Sequence, residues 1–457
     1  MARSAELKLC FYGDDITGST DAMEALVLAG VPTVLFLEPP TLARIKADFP
    51  HIQAVGLAGM SRTMTPVEMD AALPGAFSSL KALGAPVMHY KVCSTFDSSP
   101  SVGSIGRAAE IGMELFGSGP VPVAVGAPRL KRYVVGGNLF AAMGDITYRI
   151  DRHPVMSKHP VTPMDESDLR IHLGRQTGKK IGLLDFRHLA APHADVDAFL
   201  QKLVAEGVEI VILDTLDSSH LKNIGRLLWS LGKKGQAFVV GSSGVEFALS
   251  EFWQEQKMIR APRGFGSPGK VEKIVAISGS ASPWTAVQIK WALDNGFHGI
   301  QMDGVPLVDK SLQDRERGRL VAEAVQFSRQ GRSVLLYSAL GPDDPKINQT
   351  REHLGSLGRP PGEAGAILGT QQGLLLRDIL AKTGLRRVAV AGGDTCGYVL
   401  RQLSIDVLEF IVPLGTASPL CRARSSDPNF DRIEIALKGG QLGEVDFFGS
   451  VRKGRQG

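Results

Sequence analysis

Leu9-Cys10-Phe11-Tyr12-Gly13-Asp14-Asp15-Ile16-Thr17-Gly18-Ser19-Thr20-Asp21 decides the fold class. An apolar run stops at Gly13, two carboxylates follow, and Thr-Gly-Ser leads into the helix-like DAMEALVLAG, which spells strand, turn and helix. Outward from there the pattern repeats. TVLFLE, IQAVGLAG, PVMHYKV, PVAVGAP, IGLLDFR, EIVILDT and QAFVVGSS are strand-like, and MDAALPGAFSSLKALG, VDAFLQKLVAEG and HLKNIGRLLWSLGKKG are helix-like. This alternation predicts an α/β fold with mainly parallel sheets, whose ligands gather at the carboxyl ends of the strands.

At 457 residues the chain exceeds what one core supports, and the Pro/Gly-rich EQKMIRAPRGFGSPGK interrupts the pattern before it restarts at KIVAISGS. Two α/β domains are expected, residues 1–255 and 273–457, joined by a linker at 256–272. The active site is expected in the interdomain cleft. A net charge of +4 without long blocks of one sign argues against nucleic-acid and membrane partners and suits a small anionic substrate. No run approaches the roughly 18 apolar residues of a membrane helix, and Asp14 arrives before a signal-peptide core forms, so a cytoplasmic protein is expected. Cys10, Cys93, Cys396 and Cys421 are scattered, and the His residues show no metal spacing. Reduced thiols are expected, with neither a zinc site nor a disulfide framework, and no metal ligands are assigned.

The Asp14-Asp15 pair offers a proton acceptor or hydroxyl anchor beside helix N-terminal amides; capping alone explains one carboxylate and not two. Arg62, after IQAVGLAG, reads equally as a carboxylate clamp and as a surface charge. Lys91-Val92-Cys93-Ser94-Thr95-Phe96-Asp97-Ser98-Ser99 combines a cation with hydroxyls suited to a polyhydroxylated ligand, or forms an ordinary Ser/Thr loop. Cys93 reads as a small buried filler. In the second half, Ser278-Gly279-Ser280-Ala281-Ser282 and Gly392-Gly393-Asp394-Thr395-Cys396-Gly397 each follow a strand and open a helix, and Lys438-Gly439-Gly440-Gln441-Leu442-Gly443 follows the last strand. Three such turns in one domain favour phosphate held by backbone amides. Gly264-Phe265-Gly266-Ser267-Pro268-Gly269 matches a dinucleotide fingerprint in spacing, yet it precedes a strand and lies in the linker. A dinucleotide-dependent oxidoreductase is disfavoured, because the first strand leads into two carboxylates that repel pyrophosphate. A non-enzymatic acid-sugar sensor leaves the three turns without a task.

Gly13-Asp14-Asp15-Ile16-Thr17-Gly18, Ser278 to Ser282, Gly392 to Gly397 and Leu437-Lys438-Gly439-Gly440, in that order across essentially the whole chain, resemble the four-carbon acid sugar kinase family. The resemblance implies an N-terminal domain for the acid sugar, a C-terminal domain for ATP, and Mg2+-assisted phosphoryl transfer, with a homodimer allowed for. It implies Asp14 and Asp15 as catalytic residues and Thr17, Asp21, Arg62, Lys91, Ser94 and Thr95 as substrate-facing. Ser280 or Ser282, Gly392, Gly393, Asp394, Thr395 and Gly439 would face nucleotide. Family activities include kinases of threonate, erythronate, 3-oxo-tetronates and 3-oxo-isoapionate. Where many members carry a Lys-Lys-Ile-Asp-Ser-Thr-Leu-Arg-Gly-like stretch, the Asp and Arg around Ser-Thr are replaced in this chain by Cys93 and Asp97. The departure implies a branched or 3-oxo acid sugar, 3-oxo-isoapionate first.

Overall fold

The computed structural model describes residues 6–117, 119–159, 161–260, 262 and 264–455. It divides into two units, Met1–Arg263 and Gly264–Gly457. In the first unit the strands are β1 (Leu9–Gly13), β2 (Thr33–Phe36), β3 (Ala54–Ala58), β4 (Val87–Lys91), β5 (Val121–Ala124), β6 (Arg132–Val135), β7 (Asn138–Met143), β8 (Ile146–Arg149), β9 (Ile181–Leu184), β10 (Ile210–Leu213) and β11 (Ala237–Gly241). The second unit holds β12 (Val275–Ser278), β13 (His298–Gln301), β14 (Val334–Tyr337), β15 (Arg387–Ala391), β16 (Ile405–Pro413), β17 (Pro419–Ser425) and β18 (Glu434–Lys438).

All eight strand-like runs of the first half lie in one parallel sheet ordered β2-β3-β1-β4-β11-β5-β10-β9. Its central strands are buried on both faces, as Leu9, Phe11, Val55 and Val87 show, which suits near-continuous apolar runs flanked by helices. The chain passes from β1 to β2 and β3 on one side and from β4 onward to the other, so the β1/β4 junction is the place where connections diverge. Ligands of open α/β sheets bind outside the carboxyl ends at such a junction. The helix Ile16–Ala29 is started by Asp15, whose carboxylate accepts from the Gly18 amide, and is stopped by Gly30 at φ 97°.

The antiparallel ribbon β6-β7-β8 stands apart from this alternation and was not among the expected elements. Its signal was present in Gly136-Gly137, both at positive φ in a two-residue hairpin loop, which is the composition such turns require.

In the second unit β13-β14-β12-β15-β18 run parallel, and β17 and β16 add antiparallel strands beyond β18. β16 and β17 also escaped the reading of periodicity. Register breaks between Ile405 and Val407 and between Phe410 and Val412 interrupt the two-residue alternation by which a strand is recognised. A core of Ile274, Ala276, Ile289, Phe297, Leu335, Ala389, Ala436, Phe447 and Phe448 holds the helices Pro283–Asp294 and Phe447–Lys453 against the sheet.

Candidate functional site

Three turns of the first unit meet because β3, β1 and β4 are neighbours in register, with Gly13 level with Ala58 on one side and Lys91 on the other. Backbone bonds tie them: the Asp14 amide donates to the Lys91 carbonyl at 2.9 Å, and the Arg62 amide to the Asp14 carbonyl at 3.1 Å. Arg62 lies on the single 3-10 turn Ser61–Thr63, which aims its guanidinium back at β1. Nε and Nη2 donate to the two oxygens of Asp14 at 3.1 and 2.8 Å, and Nη1 donates to Asp15 Oδ2 at 3.0 Å. The clamp that the sequence offered to a ligand therefore closes on the chain's own carboxylates.

Asp14 is buried, and burial pushes its carboxyl up to about 6; the charge of Asp15 adds to the rise and Arg62 opposes it. Asp15 is the more open of the pair, its side chain 16% exposed against 5% for Asp14. Its remaining bonds hold the helix start: Gly18 donates at 2.7 Å and Thr17 Oγ1 at 2.9 Å. Capping of the helix and contact with Arg62 thus coexist in one carboxylate. Lys91 ends β4 almost fully buried, donates to the Val92 carbonyl at 3.0 Å, and lies 3.5 Å from Asp21 Oδ2. Burial alone would lower its pKa, but Asp21 and Asp14 outweigh it and hold the ammonium above its ordinary value. Asp21 is raised, because its burial outweighs Lys91.

In the loop after β4, Thr95 donates to Cys93 Sγ at 2.9 Å and makes a short bond to Asp97, while Ser94 stays partly exposed. Asp97 is buried yet stays below the usual carboxylate range, since Arg62 and the Thr95 hydroxyl outweigh the burial that would raise it. Asp97 thus lies with Thr95 under the influence of Arg62, and the sequence marks it only as a departure from a motif. The turn Ser242-Ser243-Gly244 was also missed. It follows β11, whose Gly241 is level with Lys91, and it opens the helix Gly244–Glu255. Its strand, small-residue turn and helix have the same grammar as the turns recognised in the second half.

The second unit repeats the device. β12, β15 and β18 are adjacent, with Ser278, Ala391 and Lys438 level at their carboxyl ends, so the three Gly-rich turns arise side by side. Ser282 caps the helix Pro283–Asp294 by accepting from the Trp284 amide, and Ser280 Oγ accepts from the Ser282 amide at 3.2 Å. Gly392 adopts φ 123°, ψ 125°, a conformation L side chains avoid, and it opens the helix Gly393–Gln402, whose first turn holds Asp394 and Thr395. A Cβ on Gly440 would stand 2.9 Å from Ser280 Oγ, so the last turn closes against the first only because the residue is glycine. Gly439 sits partly exposed beside it.

Lys438, named within the third turn but given no role of its own, is buried beneath this turn, where Nζ donates to Thr285 Oγ1 at 3.0 Å and to the Gly439 carbonyl at 2.9 Å. Burial pushes its pKa down to about 8. The available signal was a cation closing the apolar run IEIAL at the lip of a Gly-Gly turn. Among the described residues no group of three or more His, Cys, Asp or Glu is arranged to hold a metal ion, and no helix is long and apolar enough to cross a membrane. Gly392→Ala is expected to cost about 1–3 kcal/mol, because alanine must hold a glycine conformation; a thermal unfolding midpoint equal to that of the native chain would show the turn to be unstrained.

Comparison with known proteins bears on both units. The family model of a sugar-binding N-terminal domain matches residues 9–249, and that of a nucleotide-binding C-terminal domain matches residues 275–448. The chain is 46% identical over 451 residues to the 3-oxo-isoapionate kinase of Paraburkholderia graminis, covering 99% of this chain and 95% of that one. It is 30% identical over 451 residues to the 3-oxo-tetronate kinase of Burkholderia multivorans, covering 97% and 96%. In fold it is similar to a crystal structure from Salmonella typhimurium LT2, with TM-score 0.78, 24% identity and 98% and 100% of the two chains covered. Haemophilus influenzae protein HI1011 is also similar, with TM-score 0.69, 21% identity and 97% and 99% covered. Matches to both domain models and 46% and 30% identity over nearly the whole chain to named kinases favour the kinase reading over an oxidoreductase or a sensor: the chain belongs to the four-carbon acid sugar kinase family and is a sugar-acid kinase.

Proposed function

We propose that this kinase transfers the γ-phosphoryl group of ATP to a hydroxyl of 3-oxo-isoapionate or a closely similar branched 3-oxo acid. The geometric observation that carries the mechanism is the pair Asp14 and Asp15 held on one guanidinium at the end of β1, in the unit matched by a sugar-binding domain. Phosphoryl transfer asks for an oriented alcohol, a carboxylate to take its proton, and neutralised phosphate charge. Asp15, the more open carboxylate, receives the hydroxyl proton. Asp14, which takes two bonds from Arg62, fixes the guanidinium that orients Asp15. Thr17, Asp21, Lys91, Ser94, Thr95 and Asp97 shape the polar wall around the sugar.

The second unit fits a polyphosphate. Its three turns bring amides and the Ser280 and Ser282 hydroxyls together where Gly392 and Gly440 leave no side chain, and two helices start there. Gly393, Thr395 and Gly439 complete this cradle, and Lys438 beneath it supplies positive charge. Asp394, exposed in the first turn of its helix, is the carboxylate that would help hold a Mg2+ ion accompanying the triphosphate. Bound Mg2+ would neutralise phosphate charge. Reaction in the cytoplasm, where ATP is available, belongs to the same reading.

The preference for a branched 3-oxo acid is supported by the higher identity to the 3-oxo-isoapionate kinase than to the 3-oxo-tetronate kinase. ADP release from Mg-ATP should be measured over 3-oxo-isoapionate, 3-oxo-tetronates, threonate and erythronate. The expected result is a kcat/KM for 3-oxo-isoapionate at least about 10-fold above the others, within the range that pocket shape supplies. A higher value for a tetronate overturns the substrate, and no ADP release with any of them overturns the reaction.

A further inference from the structure

The substrate of a sugar-acid kinase brings a carboxylate, and the two cations that the sequence offers for it are engaged inside the chain. Arg62 has donors on both oxygens of Asp14 and on Asp15, and Lys91 is buried against Asp21. We propose that Arg132 is the residue that binds the substrate carboxylate, an inference that rests on the sugar-acid kinase reading.

Arg132 begins β6, the first strand of the ribbon that leaves the carboxyl end of β5. Ala124 on β5 is level with Gly241 on β11, and Gly241 with Lys91 on β4, so Arg132 rises from the sheet edge that carries Asp14, Asp15 and the Lys91 loop. The ribbon is firmly seated there. Asp214, at the end of β10, accepts from the Gly136 and Gly137 amides at 2.7 and 2.9 Å, and Val134 bridges to Thr215.

Arg132 Nη1 donates to the carbonyls of Leu130, Lys131 and Ala142 at 3.0, 3.2 and 3.2 Å, which fixes the guanidinium against the ribbon. Nε is buried without a partner, and Nη2 makes no hydrogen bond among the described residues. Nε and Nη2 form the edge on which a carboxylate seats with two parallel bonds. No described carboxylate pairs with this cation. Burial lowers its pKa, and the opposing influences are Cys93, in the loop that follows Lys91, and Tyr133. A half-buried guanidinium held by carbonyls alone is costly for a scaffold and is relieved by an anionic ligand.

The test compares the preferred acid sugar of the screen above with the same sugar carrying a primary amide in place of the carboxylate. Arg132→Met is expected to weaken binding of the acid at least about 30-fold, the loss typical of a broken hydrogen-bonded charge pair, while amide and ATP binding stay within about twofold. Arg132→Lys should recover part of the loss for the acid only. Equal losses for acid and amide, or unchanged binding of the acid, overturn the assignment. Should Arg132→Met fail to fold, Arg132→Lys decides: a loss confined to the acid supports the assignment, and any other pattern overturns it. A native enzyme that phosphorylates no acid sugar is a failure of the underlying reading and is seen before any variant is made.

Discussion

The Asp15→Asn enzyme is expected to turn over its acid sugar about 10²- to 10⁴-fold more slowly than the native chain, the range that a positioned base contributes, with nucleotide affinity nearly unchanged. Asparagine is as good a helix cap as aspartate, so the Gly18 amide keeps an acceptor and the helix Ile16–Ala29 keeps its start. What disappears is the charge that faces the hydroxyl and one of the two carboxylates gathered by Arg62. A coupled assay for ADP under saturating acid sugar, beside a thermal melt, checks both halves. Turnover within threefold of native would remove Asp15 from the chemistry.

A pH profile of the native enzyme gives the same argument a second readout. Asp14 titrates near 6, above its ordinary value of 3.8, because it is buried. As pH falls through 6 the folded chain takes up a proton there, weakening the hold on Arg62 and with it the placement of Asp15. Activity is therefore expected to drop on the acid side of about 6. The sign for stability is opposite. A carboxyl raised in the folded state contributes stability that is fully present below 3.8 and is lost as pH rises through 6, so this loss of activity is not a loss of fold through Asp14.

The strand, turn and helix around Gly13 to Asp21 and the Gly-rich turns of the second half were legible because each is local: residue types in a short window dictate the backbone. Which turns become neighbours was not. That depends on sheet order, which set β3, β1 and β4 side by side and did the same for β12, β15 and β18. Arg62 shows the consequence. Its position after a strand marked it as a site residue, but its partners are fixed by the neighbouring strand's turn, and they are Asp14 and Asp15 rather than a ligand. Ser242 to Gly244 escaped for another reason: the turn closes an apolar run whose end looks like an ordinary strand terminus until the register places it level with Lys91, while Lys438 was read as part of a glycine turn and not for its buried charge.

Lys438→Met is expected to bind ATP at least about 10-fold more weakly and yet to be nearly as stable as the native chain at pH 7. The ammonium of Lys438 is buried, and burial lowers its pKa from 10.5 to about 8. A base lowered in the folded state binds fewer protons there than in the unfolded chain, so this group makes stability rise with pH between about 8 and 10.5. Below 8 its full penalty is present, on the order of 3 kcal/mol for a shift of that size. Methionine fills the space beside Phe447 without charge and removes the penalty. Its cost is the contact of the ammonium with the Phe447 ring and two bonds donated by a charged group, to Thr285 Oγ1 and the Gly439 carbonyl, each worth about 1.5–3 kcal/mol, so loss and gain are of the same order, and Thr285 keeps its own bond to the Gly440 carbonyl. A cation whose removal leaves the fold intact but weakens nucleotide is there for the phosphates: their charge stabilises the ammonium that burial disfavours. Calorimetric titration of ATP and thermal melts at pH 7 on both proteins separate this from a structural pin, for which the melting point would fall and the affinity would stand.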